Sequence, residues 1–132
     1  MSALFKKLNR NDQKSVLVYN APASFEAELA LLQDVNIVRD AKGPKGIEFA
    51  LAFATTQREL DELSKRLVAG ASGDAILWFA YPKGTSKRYR CEFNRDTGWD
   101  VLRERGFDSV RQVAIDEDWS ALRFRNVKFI KQ

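Results

Sequence analysis

The sequence predicts an α/β protein: a three-layer sandwich with a mostly parallel sheet and an antiparallel hairpin at its C-terminal end. Three observations carry this. Short β-branched or apolar runs alternate with segments of helical periodicity. The run DAILWFAY at 74–81 is almost continuously apolar, as in a central strand covered on both faces. The last two strand-like runs are separated only by the short acidic turn Asp116-Glu117-Asp118. The 132 residues suit one domain with its own core, with 1–14 and 128–132 as its flexible ends.

The elements follow in order. SVLVYN at 15–20 is rich in β-branched residues and reads as a strand that stops at Ala21-Pro22. Ser24 suits an N-cap, and Phe25, Leu29 and Leu32 at i, i+4, i+7 predict an amphipathic helix over 25–33. VNIVRD at 35–40 and IEFALAFA at 47–54 read as strands on either side of the loop AKGPKG. Thr56 and Glu59 form a capping box for a helix over 57–69, with Leu60, Leu63, Leu67 and Val68 on one face and Gly70 as its stop. After the strand at 74–81, Asp96 or Thr97 is placed to cap a helix through Arg105, ended by Gly106. Val110, Val113 and Ile115 indicate a strand, and Leu122 and Phe124 alternate with Arg123 and Arg125 in its hairpin partner.

Composition excludes several chemistries. There is no histidine, which removes Ser-His-Asp and Cys-His catalysis and histidine-ligated metals. A single cysteine, Cys91, excludes an internal disulfide and thiolate metal clusters, and suits a cytoplasmic setting. The basic N-terminus lacks the apolar stretch of a secretory signal, and no run is long enough to span a bilayer. No catalytic residue, metal site or cofactor is indicated. The acidic turn at 116–118 reads as an exposed hairpin turn rather than a cation site. The net charge of +4 is distributed in alternating basic and acidic segments, unlike the uniform basicity of a nucleic-acid binder, so a nucleic-acid partner is not expected.

The segment FAYPKGTSKRYR at 79–90 holds the main candidate site. Residues 83–95 carry five basic side chains and one acid. Open α/β sheets bind ligands beyond the carboxyl ends of their strands, where this loop, Asn20-Ala21-Pro22 and Thr55-Thr56 would share one edge. Lys83 and Lys87 would supply charge, Gly84 close backbone approach, Thr85 and Ser86 hydroxyl donors, and Arg95 a clamp, for a small anionic or phosphorylated ligand. The loop is neither GxxxxGK[ST] nor GxGxxG, and a surface turn made soluble by its lysines is the simpler explanation of it. Ser86 beside two lysines is a Ser-Lys arrangement on paper, and Cys91 after Arg88 and Arg90 could carry a stabilised thiolate. Asp96 reads as a helix cap and Trp99 as packing.

YPKGTSK, RDTGWDVLRERGF and VRQVAIDEDWSALRFR together resemble an uncharacterised family of small bacterial α/β domains with no assigned activity. The resemblance covers about a third of the chain and implies no cofactor or catalytic residue. The resulting expectation is a non-catalytic binding domain for a small anionic ligand at the carboxyl edge. The alternative is a protein-interaction or homo-oligomeric module using the C-terminal hairpin, whose Trp119, Leu122, Phe124 and arginines suit an interface.

Overall fold

A computed structural model describes residues 2–130. Its centre is a six-stranded sheet in the order β2-β1-β3-β4-β6-β5. The strands are β1 (Ser15–Tyr19), β2 (Asn36–Arg39), β3 (Ile47–Phe53), β4 (Ala71–Pro82), β5 (Phe107–Ala114) and β6 (Trp119–Asn126). β1 pairs parallel with β2 and β3, and β3 parallel with β4. β6 then lies antiparallel between β4 and β5. The expected hairpin is therefore present, but β6 is an interior strand and β5 takes the edge.

Alternation along β3 and β4 decides how each face is covered. Ala50 and Ala52 of β3 point to one side, Phe49, Leu51 and Phe53 to the other. The small residues make room for α3 (Gln57–Gly70), which lays Leu60, Leu63 and Leu67 on that face beside Trp99 and Leu102. The larger residues fill the opposite layer against α1 (Ala3–Lys7), whose Leu4 and Phe5 are buried with the following Leu8. Both layers are apolar throughout β4: Leu77, Phe79 and Tyr81 face one side, Ile76, Trp78 and Ala80 the other. At roughly 1.5–3 kcal/mol for each fully buried large apolar side chain, these two layers are the main stabilising term. Trp78 Nε1 also donates to the Leu8 carbonyl at 2.7 Å, tying the N-terminal segment to the central strand. α1 is not legible in the sequence, since its five residues hold too little periodicity to register.

Three element expectations change. The helix expected over 25–33 is a 3-10 turn, Ala23–Phe25, followed by a single α-turn, α2 (Glu26–Leu29). Pro22 occupies the N-cap position, with no side-chain cap, and Ser24 is exposed. The helix expected from Asp96 begins later, as α4 (Asp100–Glu104) after Trp99. Asp96 does not cap it; Asn94 Oδ1 instead accepts from the Asp96 and Thr97 N–H groups. β4 and β5 both begin about three residues earlier than the apolar pattern indicates. Of the C-terminal tail, Lys131 and Gln132 lie outside the described residues. No helix among the described residues is long and apolar enough to cross a membrane.

The capping box is formed as predicted. Thr56 Oγ1 accepts from Glu59 N–H at 3.1 Å, and Glu59 Oε1 accepts from the N–H groups of Thr55 and Thr56 at 3.0 and 3.1 Å. Partial burial alone would raise the Glu59 carboxyl's pKa, but these bonds, with the two threonine hydroxyls, hold it below the ordinary value. Thr56→Ala should cost about 1 kcal/mol, or about 4 °C in melting temperature, read by thermal unfolding. Because the folded pKa of Glu59 is depressed, its contribution is complete above the ordinary glutamate value of about 4.3 and is lost as pH falls through the folded value. Glu59→Gln should therefore be less stable than the parent at neutral pH, with the gap closing on acidification.

Candidate functional site

The carboxyl ends of β1, β3 and β4 share one edge of the sheet, as the parallel pairings require. The strand order reverses at β1, from which the chain runs outward to β2 and returns through β3 on the other side. This is the topological position at which open α/β sheets bind ligands. Here it is built from Tyr19, Asn20, Asp40 and the threonines after β3. Asn20 and Asp40 both take left-handed backbone, with φ of 56° and 49°. Asn20 N–H donates to Asp40 Oδ1 at 2.9 Å, and Asn20 Nδ2 reaches the Phe53 carbonyl at 3.3 Å. Tyr19 Oη donates to the Ala41 carbonyl at 2.7 Å, with the Arg66 guanidinium over its ring. Asp40 is exposed, and its other carboxylate oxygen has no hydrogen-bond partner among the described residues.

Beside this edge lies an open cleft of roughly 1310 Å³, over the ends of β4 and β6 and walled by the 82–95 loop. All six residues singled out in the loop border it: Lys83, Gly84, Thr85, Ser86, Lys87 and Arg95. The floor is neutral and polar. Gln112 Nε2 donates to Tyr81 Oη at 3.0 Å and to Ser120 Oγ at 3.1 Å, and Arg95 Nη1 reaches Gln112 Oε1 at 3.4 Å. Burial raises the Tyr81 phenol's pKa, so it stays neutral at physiological pH. This floor escaped sequence reading because Tyr81, Gln112 and Ser120 come from three strands and only the sheet register brings them together.

The loop differs from an anion cradle. Half of the backbone donors of 83–90 are spent internally: Lys83 N–H on Asp118 O, Ser86 N–H on Lys83 O, and Arg88 and Tyr89 N–H on Ser86 Oγ. Ser86 Oγ itself donates to Asp118 Oδ1 at 2.8 Å, so this hydroxyl holds the loop to the acidic turn instead of serving as a nucleophile. Gly84 is not in a left-handed conformation, and a Cβ there would meet open space. Cys91 is no stabilised thiolate, since burial pushes its pKa up. In the acidic turn Asp116 accepts from the Asp118 and Trp119 N–H groups.

The far end of the loop is docked on α3. Glu92 N–H donates to the Thr55 carbonyl at 3.0 Å, and Glu92 Oε1 accepts from Gln57 N–H at 2.9 Å. Gln57 Nε2 then donates to the Gly98 carbonyl at 2.8 Å. Gly98 has φ of 99°, and a Cβ there would fall 2.7 Å from that of Phe93. The hairpin's apolar residues expected at an interface are buried instead. Trp119, Leu122 and Phe124 are at most 5% exposed, with Trp119 packed edge-on against Phe53 and tilted against Tyr89.

No family model matches the chain, and no curated protein matches it. Solved structures share its fold. A "possible exported protein" of Bordetella parapertussis aligns at a TM-score of 0.63 and 9% identity, over 92% of this chain and 65% of that one. This chain thus spans just under two thirds of that protein's length. A SAM-dependent methyltransferase of Aquifex aeolicus aligns at 0.59 and 12% identity, over 93% and 87%. The N-methyltransferase NodS of Bradyrhizobium japonicum aligns at 0.56 and 14% identity, over 93% and 91%. The α/β fold is thus shared with Rossmann-like methyltransferases. This corrects the expectation of a non-catalytic domain for a generic anionic or phosphorylated ligand, and that of an interaction module built on the hairpin.

Two outcomes follow from the loop geometry. Alkylation of Cys91 should accelerate only at pH above the ordinary thiol value of about 8.5, measured as iodoacetamide labelling rate against pH. Gly98→Ala should destabilise by more than 1 kcal/mol in urea unfolding, because it adds backbone strain to a steric clash.

Proposed function

We propose that this protein uses its methyltransferase-type fold to hold an adenosyl ligand of the SAM or SAH type at the β1–β2–β3 edge. The observation that carries the reading is the position of Asp40. In nucleoside-binding α/β folds, an acidic residue after the second strand, about 20 residues beyond the first turn, hydrogen-bonds the ribose hydroxyls. Asp40 follows β2 in that place, exposed, with one oxygen ordering Asn20 and the other free for a hydroxyl. The donor set fits the ribose end of such a ligand. It departs at the turn after β1, where Asn20-Ala21-Pro22-Ala23 has no glycine and Asn20 bridges to β3. Such a ligand would be held here without the close backbone approach that a glycine allows.

In its methyl-bearing form such a ligand supplies an electrophilic methyl group. The acceptor would occupy the neighbouring cleft, bordered by Lys83 to Lys87 and Arg95, with the Tyr81, Gln112 and Ser120 hydrogen-bonding groups orienting it. Transfer of this kind depends chiefly on alignment of donor and acceptor, which suits a chain without histidine. A ligand of this class and a lone cysteine both fit a cytoplasmic setting.

Isothermal titration of the full chain with S-adenosylhomocysteine tests the reading. Saturable binding should appear, and Asp40→Asn should weaken it by roughly 10- to 100-fold, the range for a hydrogen bond to a charged acceptor. An absence of binding, or equal affinity in Asp40→Asn, would overturn it.

A further inference from the structure

The cleft is joined to a second groove that the ligand reading leaves unused. A groove of about 290 Å³ runs beside β5 and shares Arg95 and Gln112 with the cleft. Arg103 and Arg111 line it. In the sequence these cations belong to separate segments, with acidic residues between them, and the charge pattern argues against nucleic acid. Folding changes the balance. Several intervening acids are engaged, Asp96 with Arg95, Asp108 with Arg103, Asp118 with the Ser86 hydroxyl and Glu92 with the Gln57 N–H, while Asp100 and Glu104 of α4 form no ion pair among the described residues. Lys83, Lys87, Arg88, Arg90 and Arg111 form no ion pair among the described residues. The loop therefore presents a basic track from Lys83 to Arg90, spread more widely than one small anion can contact, while Arg111 lies opposite Arg123 on the other sheet face from Gln112.

We infer that this track binds the sugar-phosphate backbone of a single-stranded nucleic acid. Charge complementarity favours a polyanion with regularly spaced charges. The concave shape favours a single strand: duplex readout uses a helix or ribbon projecting into a groove, whereas these cations line loop walls and α4 at the rim is five residues long. Tyr89 in the cleft wall packs against Trp119 in the second core layer, with the Arg88 guanidinium over its ring at 5.9 Å, so it anchors the loop and its cations instead of offering a stacking face. The neutral floor of Tyr81, Gln112 and Ser120 is placed to meet a base edge. This inference does not rest on the adenosyl reading.

The test is fluorescence anisotropy of the full chain with a labelled oligouridylate of about 20 nucleotides, longer than a typical single-strand site. Four phosphate contacts, at Lys83, Lys87, Arg88 and Arg90, predict a slope of about −2.8 in log affinity against log salt, or roughly 50-fold weaker binding from 50 to 200 mM. Lys87→Glu/Arg88→Glu/Arg90→Glu should lose at least tenfold in affinity, and Lys83→Glu should lower the slope. Lys7→Glu on α1 should bind as the parent. Circular dichroism melting of each variant separates lost binding from lost folding. Binding of an oligodeoxythymidylate, equal or weaker, supports backbone recognition. No anisotropy change at low salt overturns the inference, as does parental affinity in the folded triple variant. Tighter binding to duplex DNA or to phosphatidylserine vesicles than to the single strand also overturns it.

Discussion

The N-terminus of α3 is the constraint on which the site depends. A helix start leaves backbone N–H groups without intrahelical partners. Here two carboxylates from different parts of the chain supply them. Glu59 serves Thr55 and Thr56, and Glu92 serves Gln57. The first bond set fixes the turn from β3 into α3. The second pins the end of a long, highly charged loop across that turn, and Gly98 lets the chain pass close enough for Gln57 to hold it. Together with the bonds of Lys83 and Ser86 to Asp118 at its near end, this seam holds the cationic residues of 83–95 over the ends of β4 and β6. The same bonds draw these residues toward the β1–β3 edge, so that cleft and edge adjoin.

The position of β6 is the second determinant. By entering antiparallel between β4 and β5, it sets Ser120 opposite Tyr81 and Ala114, and Leu122 opposite Phe79 and Gln112. The cleft thereby gains a floor that hydrogen-bonds without charge, beneath a rim that is strongly charged. Such a site separates two tasks: the rim attracts by long-range electrostatics, and the floor orients at short range. The aromatic residues that the hairpin could have offered to a partner are consumed in packing, with Trp119 and Phe124 closing the two core layers.

How much of this the sequence revealed depended on whether the information was local. The capping box at Thr56 and Glu59 was legible because its partners lie three residues apart. The burial of β4 was legible because a continuous apolar run has few other uses. The α/β class followed from the alternation of the two. The short α2 misled, because Phe25, Leu29 and Leu32 keep helical spacing although the chain completes little more than one turn. Asp40 gave no local signal at all, since an acid after a short strand is common and its meaning comes from the strand order. The loop residues were legible as a cluster at the end of β4, but not what they bond to: the Ser86 hydroxyl and the Lys83 N–H are taken by Asp118, thirty-two residues beyond Ser86.

The central claim is that the β1–β2–β3 edge, not the basic cleft, receives the adenosyl ligand. The most direct measurement is amide chemical-shift mapping of the nitrogen-15-labelled protein during addition of S-adenosylhomocysteine. Saturable shifts are expected at Asn20, Ala21, Asp40 and Ala41, with the amides of 83–90 changing little. Shifts confined to 83–90, or none at saturating ligand, would contradict it.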